Sequence, residues 1–168
     1  MRDNRGFSLV ELMVVVTMMA ALIGLASFSI NILLGTEASK AIRILDMAIN
    51  QVRMDTMSKA SAKIKVDVDD ADQSYYVQME LDGVDQEKIW LGKPDLQISY
   101  TKKTKGSDFS AMQILDSAHP LILAFDRSTG AQKPDSMGGD SFCTEIIVRK
   151  GKTQKIILIP ETGRHYVE

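Results

Sequence analysis

The 168-residue chain is 45% hydrophobic and 25% charged, which gives room for one ordinary globular domain and too little for a second of full size. Its 20 Lys and Arg against 22 Asp and Glu leave a formal charge of −2, so composition supplies no bulk attraction to nucleic acid or anionic lipid; such a contact needs a local patch. A single cysteine, Cys143, excludes an internal disulfide and a multi-cysteine zinc site, and in a strand pattern it reads as a small core residue.

The charges are unevenly placed: residues 12–36 carry none, whereas from Glu37 onward they recur every few positions. As a helix, Phe7 to Leu34 would be about 42 Å long, more than the roughly 30 Å of a bilayer core. Arg2 and Arg5 precede it and bias the first residues to the cytoplasmic side. The run exceeds the roughly 7–15 apolar residues of a cleaved secretory signal, so a retained anchor is expected. A plain anchor has no use for Glu11, because a carboxylate inside a bilayer costs about 2.5–3.5 kcal/mol on insertion scales.

A cut between Gly6 and Phe7 would give Glu11 a purpose. Phe7 would then carry a free α-ammonium one helical turn from that carboxylate, and the helix dipole favours an acid in the first turn. Between chains, Glu11 of one copy could neutralise the Phe7 ammonium of another in apolar surroundings, where an unpaired charge is strongly destabilising. Such pairing would fix the stagger of stacked helices.

A short basic leader ending in Gly6, then Phe7-Ser-Leu-Val-Glu11-Leu and a long apolar run, resembles the amino terminus of type IV prepilins and of the pseudopilins of type II secretion. The resemblance implies cleavage of Gly6–Phe7 by a membrane-embedded prepilin peptidase, N-methylation of Phe7 by the same enzyme, and Glu11 as the assembly glutamate. The implied partners are other pilin or pseudopilin subunits, the peptidase, an inner-membrane assembly platform, and membrane lipid before assembly. The family often bends this helix at a proline; no proline precedes Pro94, so a proline kink is not predicted.

Beyond Gly35 the helical period continues, with Ile42, Leu45, Ile49, Val52 and Thr56 on one stripe, predicting one rod from Phe7 to about Ala62 that packs on a sheet. The period then falls to two. Strands are predicted at KIKVDV (63–68), SYYVQMEL (74–81), EKIWL (87–91) and LQISYT (96–101), with Asp69–Gln73 and Gly92–Asp95 as connections. SDFSAMQILDSA (107–118) is predicted as a short helix. The last third reads as a meander of PLILAF, CTEIIVR, QKIILI and HYVE, loosely resembling H-type minor pseudopilins and related minor pilins.

Other chemistry is weak. Gly151-Lys-Thr lacks the first glycine of a phosphate loop, since Ile146 stands there, and His119 and His165 have no catalytic or metal spacing. Asp67–Asp72 departs from an EF-hand at Ala71 and Asp72. The Asp135–Asp140 loop offers two carboxylates and flexible glycines; because major pseudopilins hold calcium in an exported loop, Asp135 and Asp140 are calcium candidates by that resemblance. Two basic clusters, Lys102, Lys103 and Lys105, and Arg149, Lys150, Lys152 and Lys155, could touch DNA phosphates if they shared a face, but without interleaved aromatics they read as solvated turns.

The expected architecture is α+β: a long amino-terminal helix with a transmembrane inner half, packed on a carboxy-terminal antiparallel sheet domain of pilin type. Its parts are a leader (1–6), an apolar filament-core helix (7–35), an amphipathic outer half (36–62) and an exported domain (63–168). No cofactor and no catalysis are expected. The competing class is a single-pass anchored extracellular binding protein that never polymerises.

Overall fold

The computed structural model describes residues 8–58, 60–106, 110–134 and 140–168, and gives only the backbone of residues 24–35. Among these residues one helix, α1 (Leu9–Met57), precedes ten strands: β1 (Ala62–Val68), β2 (Tyr75–Leu81), β3 (Val84–Asp85), β4 (Ile89–Gly92), β5 (Gln97–Thr104), β6 (Ser110–Ile114), β7 (Leu121–Ala124), β8 (Ser141–Lys150), β9 (Lys152–Ile159) and β10 (Arg164–Val167).

The outer part of α1 buries its stripe: Ala38, Ala41, Ile42, Leu45, Ala48, Ile49 and Val52 are all at or below 4% exposure, and Thr56 is buried with its hydroxyl donating to the Val52 carbonyl at 2.8 Å. The alanines let strands approach the helix axis closely, while Ile42, Leu45 and Ile49 fill the gaps between them. The helix stops short of Ala62. Ser58 competes for the last turn: its N–H donates to the Met54 and Asp55 carbonyls at 2.9 and 3.2 Å, and its hydroxyl to the Asp55 carbonyl at 3.0 Å.

Against this stripe lie two five-stranded antiparallel sheets. The first runs β3-β2-β1-β7, with β4 also pairing β2; the second runs β10-β9-β8-β5-β6. Their inner faces meet α1 in one continuous core that includes Ile64, Val66, Val77, Ile98, Tyr100, Leu123, Phe125, Ile146 and Leu158.

The expected architecture is corrected on two counts. The body is two sheets, not one, because β4 and β5 part company at Gly92–Leu96 and join different sheets. The transmembrane inner half is also overturned: among the described residues no helix is long and apolar enough to cross a membrane.

Two further differences concern strands. The predicted short helix at 107–118 is β6 instead, pairing Ser110–Ile114 with Lys103–Ser99 of β5; Met112 and Ile114 alternate with Ala111 and Gln113, a period-two pattern that the open edge of β5 satisfies. The Ser107–Phe109 part of that stretch lies outside the described residues. The predicted final meander is real only for β8-β9-β10; β7 leaves it to pair with β1, Val66 facing Leu121 and Lys63 facing Ala124.

A clasp closes the far end of α1. The turn at Asp126–Gly130 and the turn at Pro160–Gly163 converge there; Arg53 donates from Nε to the Gly130 carbonyl at 3.4 Å and from Nη2 to the Thr162 carbonyl at 3.2 Å. Asp126 holds its turn by accepting the Ser128 and Thr129 N–H groups and both hydroxyls, which drives its carboxyl far below the usual range. Gly163 has φ of +62° and a Cβ there would sit 1.8 Å from the Gly130 oxygen, so backbone meets backbone with no room for a side chain. Gly163→Ala should therefore lower stability by about 2–4 kcal/mol and the melting temperature by roughly 5–10 °C. Gly106→Ala, at φ of +78° with nothing within 4 Å, should lower stability by only about 1 kcal/mol in the same circular-dichroism melts.

Candidate functional site

The start of α1 is built to be covered. From Leu9 to Ile23 eleven large apolar side chains are exposed, between 46% for Val14 and Val15 and 76% for Leu9, and they surround the helix. A helix apolar on every side belongs inside something. Burying these groups is worth on the order of 10–20 kcal/mol that the isolated chain does not realise. The one described hydroxyl in the middle of the stretch, Thr17, donates to the Val14 carbonyl at 2.9 Å, so it asks nothing of its surroundings.

Glu11 is the sole charge in this stretch and lies in the first turn. Ser8 stands at the N-cap with φ −69° and ψ 146° and makes no side-chain cap; its carbonyl accepts the Leu12 N–H at 3.1 Å. The first turn thus places one exposed carboxylate near the start of an apolar rod. Gly6 and Phe7, the expected cleavage and methylation residues, lie outside the described residues.

Among the described residues, three long-range side-chain contacts help fasten the rod to the body. Lys150 of β8, with only 7% of its side chain exposed, bridges Glu37 and Asp95, the latter at 2.6 Å. His165 of β10, 3% exposed, meets Asp46 at 2.9 Å. Arg53 supplies the third, in the clasp. Hydrogen bonds from Asp95 first and Glu37 second raise the Lys150 pKa, and the Lys150 ammonium in turn holds the Asp95 carboxyl below its ordinary value.

The other candidates disperse. Lys102 and Lys103 pair across to Cys143 and Phe142, whereas Arg149 pairs with Gln97 at the opposite end of β5. The two basic clusters thus sit at opposite ends of the second sheet, roughly 20 Å apart at 3.4 Å per residue. Lys105 donates its N–H to the Asp140 carbonyl at 2.7 Å, which ties Asp140 to the first cluster. Lys152 opens β9 next to the Lys150 bridge, and Lys155 reaches Glu145 and Glu168 at 3.5 and 3.3 Å. Asp135 lies outside the described residues, and among those described no three His, Cys, Asp or Glu side chains gather to hold a metal ion. Cys143 is buried in β8.

Sequence reasoning missed the tethers and a surface aromatic group. Trp90, half exposed, lies edge-on to Tyr76 at 5.8 Å, with the Lys88 ammonium 4.1 Å from the Tyr76 ring centre. Thr-Gly recurs at 129–130 and 162–163, and that repeated turn ending was the available signal for the clasp.

Residues 1–27 match the family described as the prokaryotic N-terminal methylation motif. The chain thus carries a type IV prepilin-like signal, the mark of a prepilin-peptidase substrate and of pilin-like processed proteins. No curated protein and no solved structure matches it significantly.

The Lys150 bridge generates a pH prediction. Asp95, whose folded pKa is depressed, adds stability above the ordinary carboxylate range and loses it as pH falls through the depressed value; Lys150, whose pKa is raised, adds stability until pH climbs through the raised value. Lys150→Met should lower the melting temperature at pH 7, and the gap from the parent should narrow in melts at pH 2. An equal gap at both values would remove the ion pairs as its cause.

Proposed function

We propose that the chain is a structural subunit, a minor pilin or pseudopilin, of a type IV pilus-like filament or a type II secretion pseudopilus. What carries the reading is the collar of exposed apolar residues from Leu9 to Ile23 with a single carboxylate at its tip, on the segment that matches the methylation motif.

Its work is assembly. The prepilin peptidase cuts Gly6–Phe7 and methylates the Phe7 amine, and the amino-terminal segment anchors the chain at the cytoplasmic membrane. An assembly platform then transfers it into the filament, where neighbouring rods cover the collar and Glu11 meets the Phe7 ammonium of an adjacent subunit. The collar exchanges lipid for other rods, both apolar, so its hydrophobic term changes little on transfer. A stagger that misses the Glu11 contact leaves two charges bare, which is how one pair of groups selects one register.

The amino-terminal mass of chain extracted from cells with and without active prepilin peptidase tests processing: a chain beginning at methylated Phe7 is expected only with the enzyme. In the same cells Glu11→Ala should accumulate in the membrane and be depleted from sheared filaments. An uncut chain in both strains, with Glu11→Ala harmless, would overturn the filament reading in favour of an anchored binding protein.

A further inference from the structure

An open groove of about 320 Å³ lies beside the carboxy-terminal end of α1, between the entry to β1 and the outer edge of β7. Ile122, Ala124 and Phe125 form part of its wall, and Lys63, Arg127 and Lys133 bring three cations to it, with no acidic residue in the lining among the described residues. Lys63 is already paired with Glu80 at 3.1 Å. Arg127 and Lys133 are exposed and have no carboxylate partner among the described residues.

The complementary charge sits at the other end of the same sheet. β1 leaves the groove and ends at Val68, roughly 20 Å away at about 3.3 Å per residue, where the chain turns through Asp69, Asp70 and Asp72. That turn is preformed: the Asp69 carboxylate accepts the Ala71 N–H and binds Lys88, both at 3.0 Å, Asp72 accepts the Ser74 N–H at 3.0 Å, and the Gln73 N–H closes on the Asp69 carbonyl at 2.9 Å. Asp70 and Asp72 are left exposed at its tip. Val68 faces Tyr75, Tyr75 faces Gly92, and Asp95 just beyond joins Lys150 and Glu37, so this end of the sheet lies toward the start of the packed half of α1.

We propose that the groove receives the Asp69–Asp72 turn of a second copy of this chain, with Asp70 and Asp72 facing Arg127 and Lys133. The two surfaces differ and lie at opposite ends of α1's packed half, so the contact is head-to-tail and does not close on itself; each copy offers a free groove and a free turn. It repeats along the rod axis, in the direction a bundle of staggered helices would grow. The inference rests on the filament reading above, to which it adds a contact between the bodies. Charge complementarity selects this occupant: the groove's described lining carries three cations, and the turn is a preformed acidic projection of opposite sign.

The test uses the full chain in the cells that make it. Asp70→Cys and Arg127→Cys, introduced together, should on mild oxidation give a ladder of disulfide-linked multimers, with neither single variant doing so. Independently, Arg127→Glu with Lys133→Glu should abolish the contact, read as loss of chemical cross-linking between bodies, and adding Asp70→Lys with Asp72→Lys to the same chain should restore it. A processed chain giving no ladder, dimers alone, or no restoration by the charge swap would overturn the proposal while leaving the filament reading in place. A ladder formed by a chain with an uncut amino terminus would uphold the contact and overturn the filament reading.

Discussion

A helix that shows apolar side chains on every side from Leu9 to Ile23 needs a cover that its own body does not supply. The rest of the molecule is arranged around that constraint. Both sheets and all three polar tethers lie at residue 36 or beyond on α1, and the collar is left bare. The division is chemical as well as spatial: below residue 24 the described rod offers one carboxylate and an internally satisfied threonine, and above residue 36 it offers Glu37, Asp46 and Arg53 to fixed partners. One helix thus belongs to two solvents.

The packed half shows how a two-sheet body can share one helix. A stripe containing Ala38, Ala41 and Ala48 is narrow enough for strands of both sheets to approach, and the larger Ile42, Leu45, Ile49 and Val52 enter the space between them. Burial at this seam is collective, since a fully buried aliphatic side chain contributes about 1.5–3 kcal/mol and several act together. The tethers add orientation to that burial. Apolar packing tolerates small sliding and rotation, whereas Lys150 between two carboxylates does not.

The sequence disclosed what is periodic or local. Ile42, Leu45, Ile49, Val52 and Thr56 were visible as one face because 3.6-residue spacing is a local property, and all five are buried. The alternation in β1 and β2 was equally plain. What stayed hidden depends on which strand finds which partner. β7 carries the same apolar run whether it continues a meander or crosses to β1, and β6 became a strand because β5 had an edge to fill. The Glu11 signal was legible since it is a composition anomaly. The His165–Asp46 and Lys150–Glu37 contacts join positions 119 and 113 residues apart, and no spacing rule reaches that far.

The tethers also set a direction for mechanical load. Lys150 lies in β8, His165 in β10, and Arg53 grips the Thr162 carbonyl at the entry to β10, so these three fastenings of α1 lead chiefly into the second sheet; the first follows α1 along the backbone, and the Thr56 hydroxyl reaches the Ala62 carbonyl of β1 at 3.4 Å. Tension pulled along α1 is therefore divided: the side-chain tethers pass it to β8 and β10, and the peptide chain passes it to β1. Each sheet thus takes its share of the pull through a different kind of link, ion pairs and hydrogen bonds for the second and the backbone itself for the first.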